Sequence, residues 1–255
     1  MKLSHTLTWT SAVFDDPNLV SSAGLVPVMA LADAAGLRVL ADQRLTVATD
    51  KGANAGLKVA SLVAGMVAGA DSIDDMALLR HGGMGRVFAR AYAPSTLGSF
   101  LRAFTFGHVR QLDAVASRFL ANLTAAGGQG AQVRRDGTST RVLVDIDDTI
   151  IEVHGYQKQG ASFGYSGIRG LNTLVATAST TTSAPVILAQ RLRQGKTGTP
   201  KGAARIVADT LDRVGHILVG RFVDGDLRGD PEDRDQRGRA EALRKMRVDM
   251  AGLAA

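Results

Sequence analysis

Cysteine is absent from the 255 residues. Disulfides and thiolate metal sites are therefore excluded, which leaves carboxylates and the five histidines as metal ligands. Long apolar runs are missing as well. The most apolar stretch, 55–70, is interrupted by Lys58 and falls short of the ~20 residues that a membrane span requires. It predicts a buried helix, and no membrane partner is expected. The opening MKLSHTLTWT is polar and holds no signal-peptide core, and no internal repeat is present. These absences lead to the expectation of a cytoplasmic globular protein.

What is there supports a real core, because 45% of the residues are hydrophobic. Thirty basic residues against 24 acidic give a formal charge of +6 and a pI near 10.0. Such a balance favours a polyanionic partner such as nucleic acid, and with it a nucleoid-associated location. Arginine outnumbers lysine by 23 to 7, as a GC-rich gene would give.

Residues 1–126 read as a helical region. Val59, Leu62, Val63, Met66 and Val67 recur at the spacing of one helix face. Ser95, just after Pro94, is placed to cap a helix carrying Leu97, Leu101 and Phe104, and Leu112, Val115, Phe119 and Leu123 continue the stripe in the next helix. Arg102, Arg110 and Arg118 lie on these helices, either on a solvated face or in contact with phosphates. Residues 127–140, rich in glycine, read as a linker. Strand-like runs follow at 141–146, 171–178 and 185–192, then a helix over 200–214 and a fourth apolar run at 216–219 read as a strand. From 220 onward the composition shifts, with eight basic and eight acidic residues between Arg221 and Asp249.

The chemistry is concentrated in Val142-Leu143-Val144-Asp145-Ile146-Asp147-Asp148-Thr149. Strand alternation puts Leu143, Asp145 and Asp147 on one side and Val144 and Ile146 on the other. Clustered carboxylates repel one another and need cations or hydrogen bonds, which a divalent metal would satisfy. The alternative is a turn or helix cap built from Asp147 or Asp148 with Thr149. Three other features carry less. Gly195-Lys196-Thr197 lacks the first glycine of a phosphate-binding loop, since Gln190 stands there. Asp15-Asp16 and Asp74-Asp75 precede helical sequence and read as caps or first-turn charges. His81, His108 and His154 have no ligand-like spacing and read as hydrogen-bonding residues.

The block DIDDTIIEVHGYQKQGASFGYSGIRGLNTLVATAS, 145–179, resembles the first catalytic block of a branch of bacterial DDE insertion-sequence transposases. The likeness includes Asp147-x-Thr149, His154-Gly155, the loop from Tyr156 to Gly160 and Gly164-Tyr165. It continues through 191–195 and 201–203, and 93–97 and 104–108 are similar to the N-terminal part of these proteins. The resemblance covers residues 1–219. It implies an N-terminal helical domain and then an RNase H-like α/β core of three antiparallel strands, a helix and a fourth strand. It makes Asp147 the first catalytic aspartate, with Asp145 and Asp148 as its nearest rivals. It implies two Mg²⁺ or Mn²⁺ ions about 4 Å apart for in-line phosphoryl transfer, held in part by Asp147 and Asp145. The implied partners are double-stranded DNA, both terminal repeats and target, together with self-association. Lys158 and Arg169 become candidate phosphate contacts beside Arg102, Arg110 and Arg118.

The resemblance also implies a second aspartate after the fourth strand and a distant glutamate. Here the sequence from Gly220 to Asp226 departs from the Arg-x-Asp-Ser pattern. The expectation is a truncated or frameshifted copy, inactive by itself, in which Asp224 or Asp226 would have to replace the missing ligand. Two alternatives differ in class. Val142–Thr149 also resembles the Asp-x-Asp-x-Thr motif of haloacid-dehalogenase-like phosphatases, in which Asp145 would attack phosphate, Asp147 act as acid/base and Asp226 and Asp230 bind Mg²⁺. The other alternative is a non-catalytic DNA-binding fragment that regulates transposition.

Overall fold

The computed structural model describes residues 16–48, 50–88, 90–126, 142–155, 158–179, 184–198 and 200–219. The linker at 127–140 and the charged tail, with Asp224, Asp226 and Asp230, lie outside the described residues, as do Tyr156 and Gln157. The architecture is mixed: helices up to residue 126, then an antiparallel sheet of four strands and a further helix.

The helical region holds α1 (Leu25–Ala34), α2 (Leu37–Arg44), α3 (Ala55–Val67), α4 (Pro94–Arg102) and α5 (Phe106–Ala126). Two 3-10 segments, Asp74–Arg80 and Gly82–Arg86, bridge α3 to α4. Gly36, at φ +83, takes the left-handed conformation that lets α1 end and α2 begin within two residues. Ala41, Val59, Phe100 and Val115 meet at the centre of this region. Burying Phe100 completely contributes about 3 kcal/mol.

Several helix faces differ from the sequence expectation. In α3 the buried side carries Lys58, Val59, Ala60, Ala64 and Gly65, while Met66 and Val67 face solvent. Close approach explains this, because a Cβ on Gly65 would collide with the Met76 thioether. Small residues therefore occupy the contact that the bulky stripe was expected to make. Lys58 is buried with a partner: its Nζ donates to the Lys51 carbonyl at 2.7 Å and sits 5.3 Å from the Phe100 ring centre. In α4, Phe100 takes the buried place expected of Leu101, which is exposed. No side chain caps α4; Pro94 opens it, with Ala93 before it in extended conformation. Asp75 does act locally, accepting from the Ser72 backbone and hydroxyl at 2.9 and 2.7 Å.

The sheet comprises β1 (Leu143–Glu152), β2 (Ser162–Phe163), β3 (Arg169–Ser179) and β4 (Val186–Gln194), with every pairing antiparallel. β3 is the middle strand, flanked by β1 on one side and by β4 and the short β2 on the other. β1 runs well past the expected end at 146, so the three aspartates lie within the strand rather than in a turn.

One face of the sheet is covered by α6 (Ala203–Val219) and the C-terminal half of α5. Leu174, Ala176 and Ala189 pack with Ile206, and Ala178 and Leu188 pack with Val214 and Leu120. The expected fourth strand at 216–219 is not formed, because α6 continues through Val219. Ala203, Ile206, Thr210 and Val214 are its buried stripe, at the spacing of one helix face. No described helix is long and apolar enough to cross a membrane.

Candidate active site

The alternation of β1 places Asp145, Asp147, Thr149 and Ile151 on the face turned away from α6, all of them exposed. Two residues of strand separate the Asp145 and Asp147 Cα atoms by about 7 Å. Asp147 Oδ1 accepts the Asp148 backbone N–H at 2.8 Å. Across the sheet Asp147 is in register with Val175, and Val175 with Gln190, while Thr149 stands opposite Thr173 and Thr173 opposite Leu192. Two solvent-facing carboxylates of this kind suit a hard divalent cation that takes oxygen ligands. Among the described residues no group of three His, Asp or Glu side chains converges as a metal site.

Asp148, a rival for the catalytic role, points to the opposite, helix-covered side. Its carboxylate accepts from Asn172 Nδ2 at 2.9 Å and from Arg193 at 3.2 Å. The two-residue period that joins Asp145 to Asp147 excludes Asp148 from their pair. Arg193 also donates to the Lys201 carbonyl at 2.7 Å, tying β4 to the turn that starts α6. Burial lowers the Arg193 pKa, and the charge of Asp148 offsets part of that effect.

The five cations expected at phosphates are dispersed in role. Lys158 is exposed. Arg169 donates to the Val153 and Gly155 carbonyls at 3.1 and 2.7 Å and so holds the loop after β1. Arg102 is exposed and reaches Ser99 at 3.2 Å. Arg118 is buried in α5, where the helical repeat puts it beside Val115 on the inward side, so neither the solvated face nor the phosphate contact describes it. Arg110 is half-buried and lines a cavity at the β4 edge.

Beside that cavity lies a buried ion network that sequence reasoning missed. Asp113 of α5 accepts from Arg191 of β4 at 3.1 Å and from Arg213 of α6 at 3.0 and 2.7 Å. Arg191 also pairs with Asp209 of α6. Burial pushes the Asp113 pKa up, but the hydrogen bond and charge of Arg213, joined by Arg191, outweigh it and hold the carboxyl below its ordinary range. Burial lowers Arg191, and the like charge of nearby Arg110 adds to that. The available signal was the pair Arg191 and Arg193, two cations at strand spacing on a face that also carries Leu174 and Ala189. Such a pair requires buried partners.

Comparison of the chain with protein-family models, with curated proteins and with solved structures returned no match.

Proposed function

We propose that this chain carries the first catalytic block of a DDE-type DNA transposase, with Asp147 as the primary ligand for Mg²⁺ or Mn²⁺ and Asp145 beside it. One observation carries the reading: Asp145, Asp147 and Thr149 share the open face of the first strand of an antiparallel meander that leads into a helix. That is the order an RNase H-like core uses to present its first carboxylate, and it agrees with the resemblance over 145–179. The basic balance of the chain suits a DNA partner.

Two-metal transfer uses carboxylates on more than one element to position both ions and the attacking oxygen. Asp145 and Asp147 lie on a single strand. The pair therefore anchors one ion, and no group of three His, Asp or Glu side chains among the described residues completes the site, so the described part is expected neither to cleave nor to join DNA unaided. The phosphatase alternative draws less from the geometry, because β1 continues to Glu152 in antiparallel pairing instead of ending at the aspartates to expose a nucleophile.

Manganese titration followed by electron paramagnetic resonance tests the assignment, alongside nicking of supercoiled plasmid. Saturable Mn²⁺ binding that weakens about tenfold or more in Asp147→Asn and in Asp145→Asn is the expected result. Equal binding by all three proteins would defeat the metal assignment. Nicking that disappears in Asp147→Asn would show that the chain completes the site. Salt-sensitive duplex binding without nicking is the behaviour expected of a regulatory fragment.

A further inference from the structure

A cavity of about 570 Å³ lies along the β4 edge, between the first turns of α5 and the start of α6. The carboxylate chemistry above does not use it. Its cationic wall is uneven. Arg191 and Arg193 are consumed by Asp113, Asp209 and Asp148, whereas Arg110 and Lys201 also border the space, as does Arg205, which is largely exposed and only loosely paired with Asp209 at 3.9 Å. Asp113 is the one carboxylate among its lining residues, and it already accepts from two arginines.

Two further features point to an anion. Gly202, at φ +88, lines the cavity where α6 begins, and the first amides of a helix with their positive dipole end attract negative groups. Independently, Thr173 on the cavity wall is 7% exposed, and its Oγ1 has no hydrogen-bond partner among the described residues. A buried hydroxyl without a partner costs stability, and a ligand oxygen would relieve that cost. The rest of the wall combines an apolar part, Phe106 and Val109 from α5 with Ile151 and Leu192 of the sheet, with the neutral polar side chains of Gln190, Gln194 and Thr197. An inorganic anion alone would leave that surface bare.

We infer that the cavity binds a phosphate ester with an apolar body, of nucleotide size. The phosphate lies near the α6 start between Lys201, Arg205 and Arg110, and the body lies against Leu192 and Phe106, within reach of the Thr173 hydroxyl. Thr173 stands opposite Thr149 in the sheet, so the bound group is a strand's width from the row that holds Asp145 and Asp147. The inference concerns binding alone and stands whether or not the carboxylates hold a metal.

Calorimetric titration of the full chain tests it with thymidine 5′-monophosphate, thymidine, inorganic phosphate and a 5′-phosphorylated octathymidylate. The monophosphate is expected to bind saturably, at least tenfold tighter than thymidine or inorganic phosphate. The octanucleotide arm separates sources. Tighter binding than the monophosphate identifies a strand end as the natural ligand, and equal binding identifies a free nucleotide.

Lys201→Gln combined with Arg205→Gln, both exposed and so tolerated by the fold, should weaken the monophosphate by about tenfold or more. Arg80→Gln, an exposed cation outside the cavity lining, should leave it unchanged. Thr173→Val adds a readout of its own, since it should weaken the ligand while raising the melting temperature of the ligand-free protein. Absence of saturable binding, or equal weakening by Arg80→Gln, would overturn the inference. So would a Thr173→Val protein that binds normally.

Discussion

Asp113 and Arg213 are 100 positions apart in the chain, yet both terminal nitrogens of the arginine donate to the one carboxylate. The side chains of Asp113, Arg191 and Arg213 are only 8%, 13% and 12% exposed. Removing the carboxylate leaves two buried cations undercompensated, Arg191 with Asp209 and Arg213 with the neutral Leu188 carbonyl. Asp113→Asn is accordingly expected to lower unfolding free energy by about 3–5 kcal/mol, measured by urea denaturation. A change under 1 kcal/mol would show that water reaches the network.

The same residue sets an acid limit. Its pKa is lowered in the folded chain, so its contribution is complete above the ordinary aspartate value of about 3.9 and is lost as pH falls through the folded value. The stability gap between the native chain and Asp113→Asn should be full at neutral pH and should narrow only below about pH 4. A gap that already narrows between pH 7 and 5 would contradict the network as the source.

The three neighbouring aspartates of β1 should separate cleanly. Asp148→Asn removes the charge that Arg193 and Asn172 share and is expected to destabilise the fold by about 1–3 kcal/mol. Asp145→Asn and Asp147→Asn, on the open face, should change stability by less than about 0.5 kcal/mol. Thermal melts of the three variants without metal provide the check. Equal losses would mean that the alternation along β1 is wrong.

Thr210 is completely buried in α6 and its hydroxyl has no partner among the described residues. Thr210→Val keeps the shape and removes an unsatisfied group. A gain of about 1 kcal/mol is expected, visible as a raised denaturation midpoint. A loss would reveal a water or backbone partner for the hydroxyl.

The strands were legible because apolar and polar residues alternate with period two from Val144 to Asp147, and because 171–178 and 185–192 are largely apolar runs of strand length. From the same alternation the sharing of a face by Asp145 and Asp147 followed directly. The run at 216–219 was misread for a physical reason. His216 and the three apolar residues after it satisfy a strand and one turn of helix equally, and only the stripe from Ala203 to Val214 settles the choice. The inward turn of Arg118 and the small-residue contact of α3 depend on what packs against them, which local sequence does not encode. The Asp113 network was invisible because its members are spread over α5, β4 and α6.

The spread of that network has a kinetic consequence. Pairings in the sheet join residues close in sequence, from Phe163 with Arg169, 6 apart, to Leu143 with Ser179, 36 apart. The α5–α6 clasp closes a loop of 100 positions. Loop entropy rises with length, and local pairings form sooner than remote ones. The meander therefore assembles early, and the clasp between Asp113 and Arg213 closes after the barrier is crossed. Asp113→Asn should then speed unfolding while leaving the refolding rate nearly unchanged, so this one aspartate acts as a latch on the lifetime of the folded chain and not on the speed of its formation.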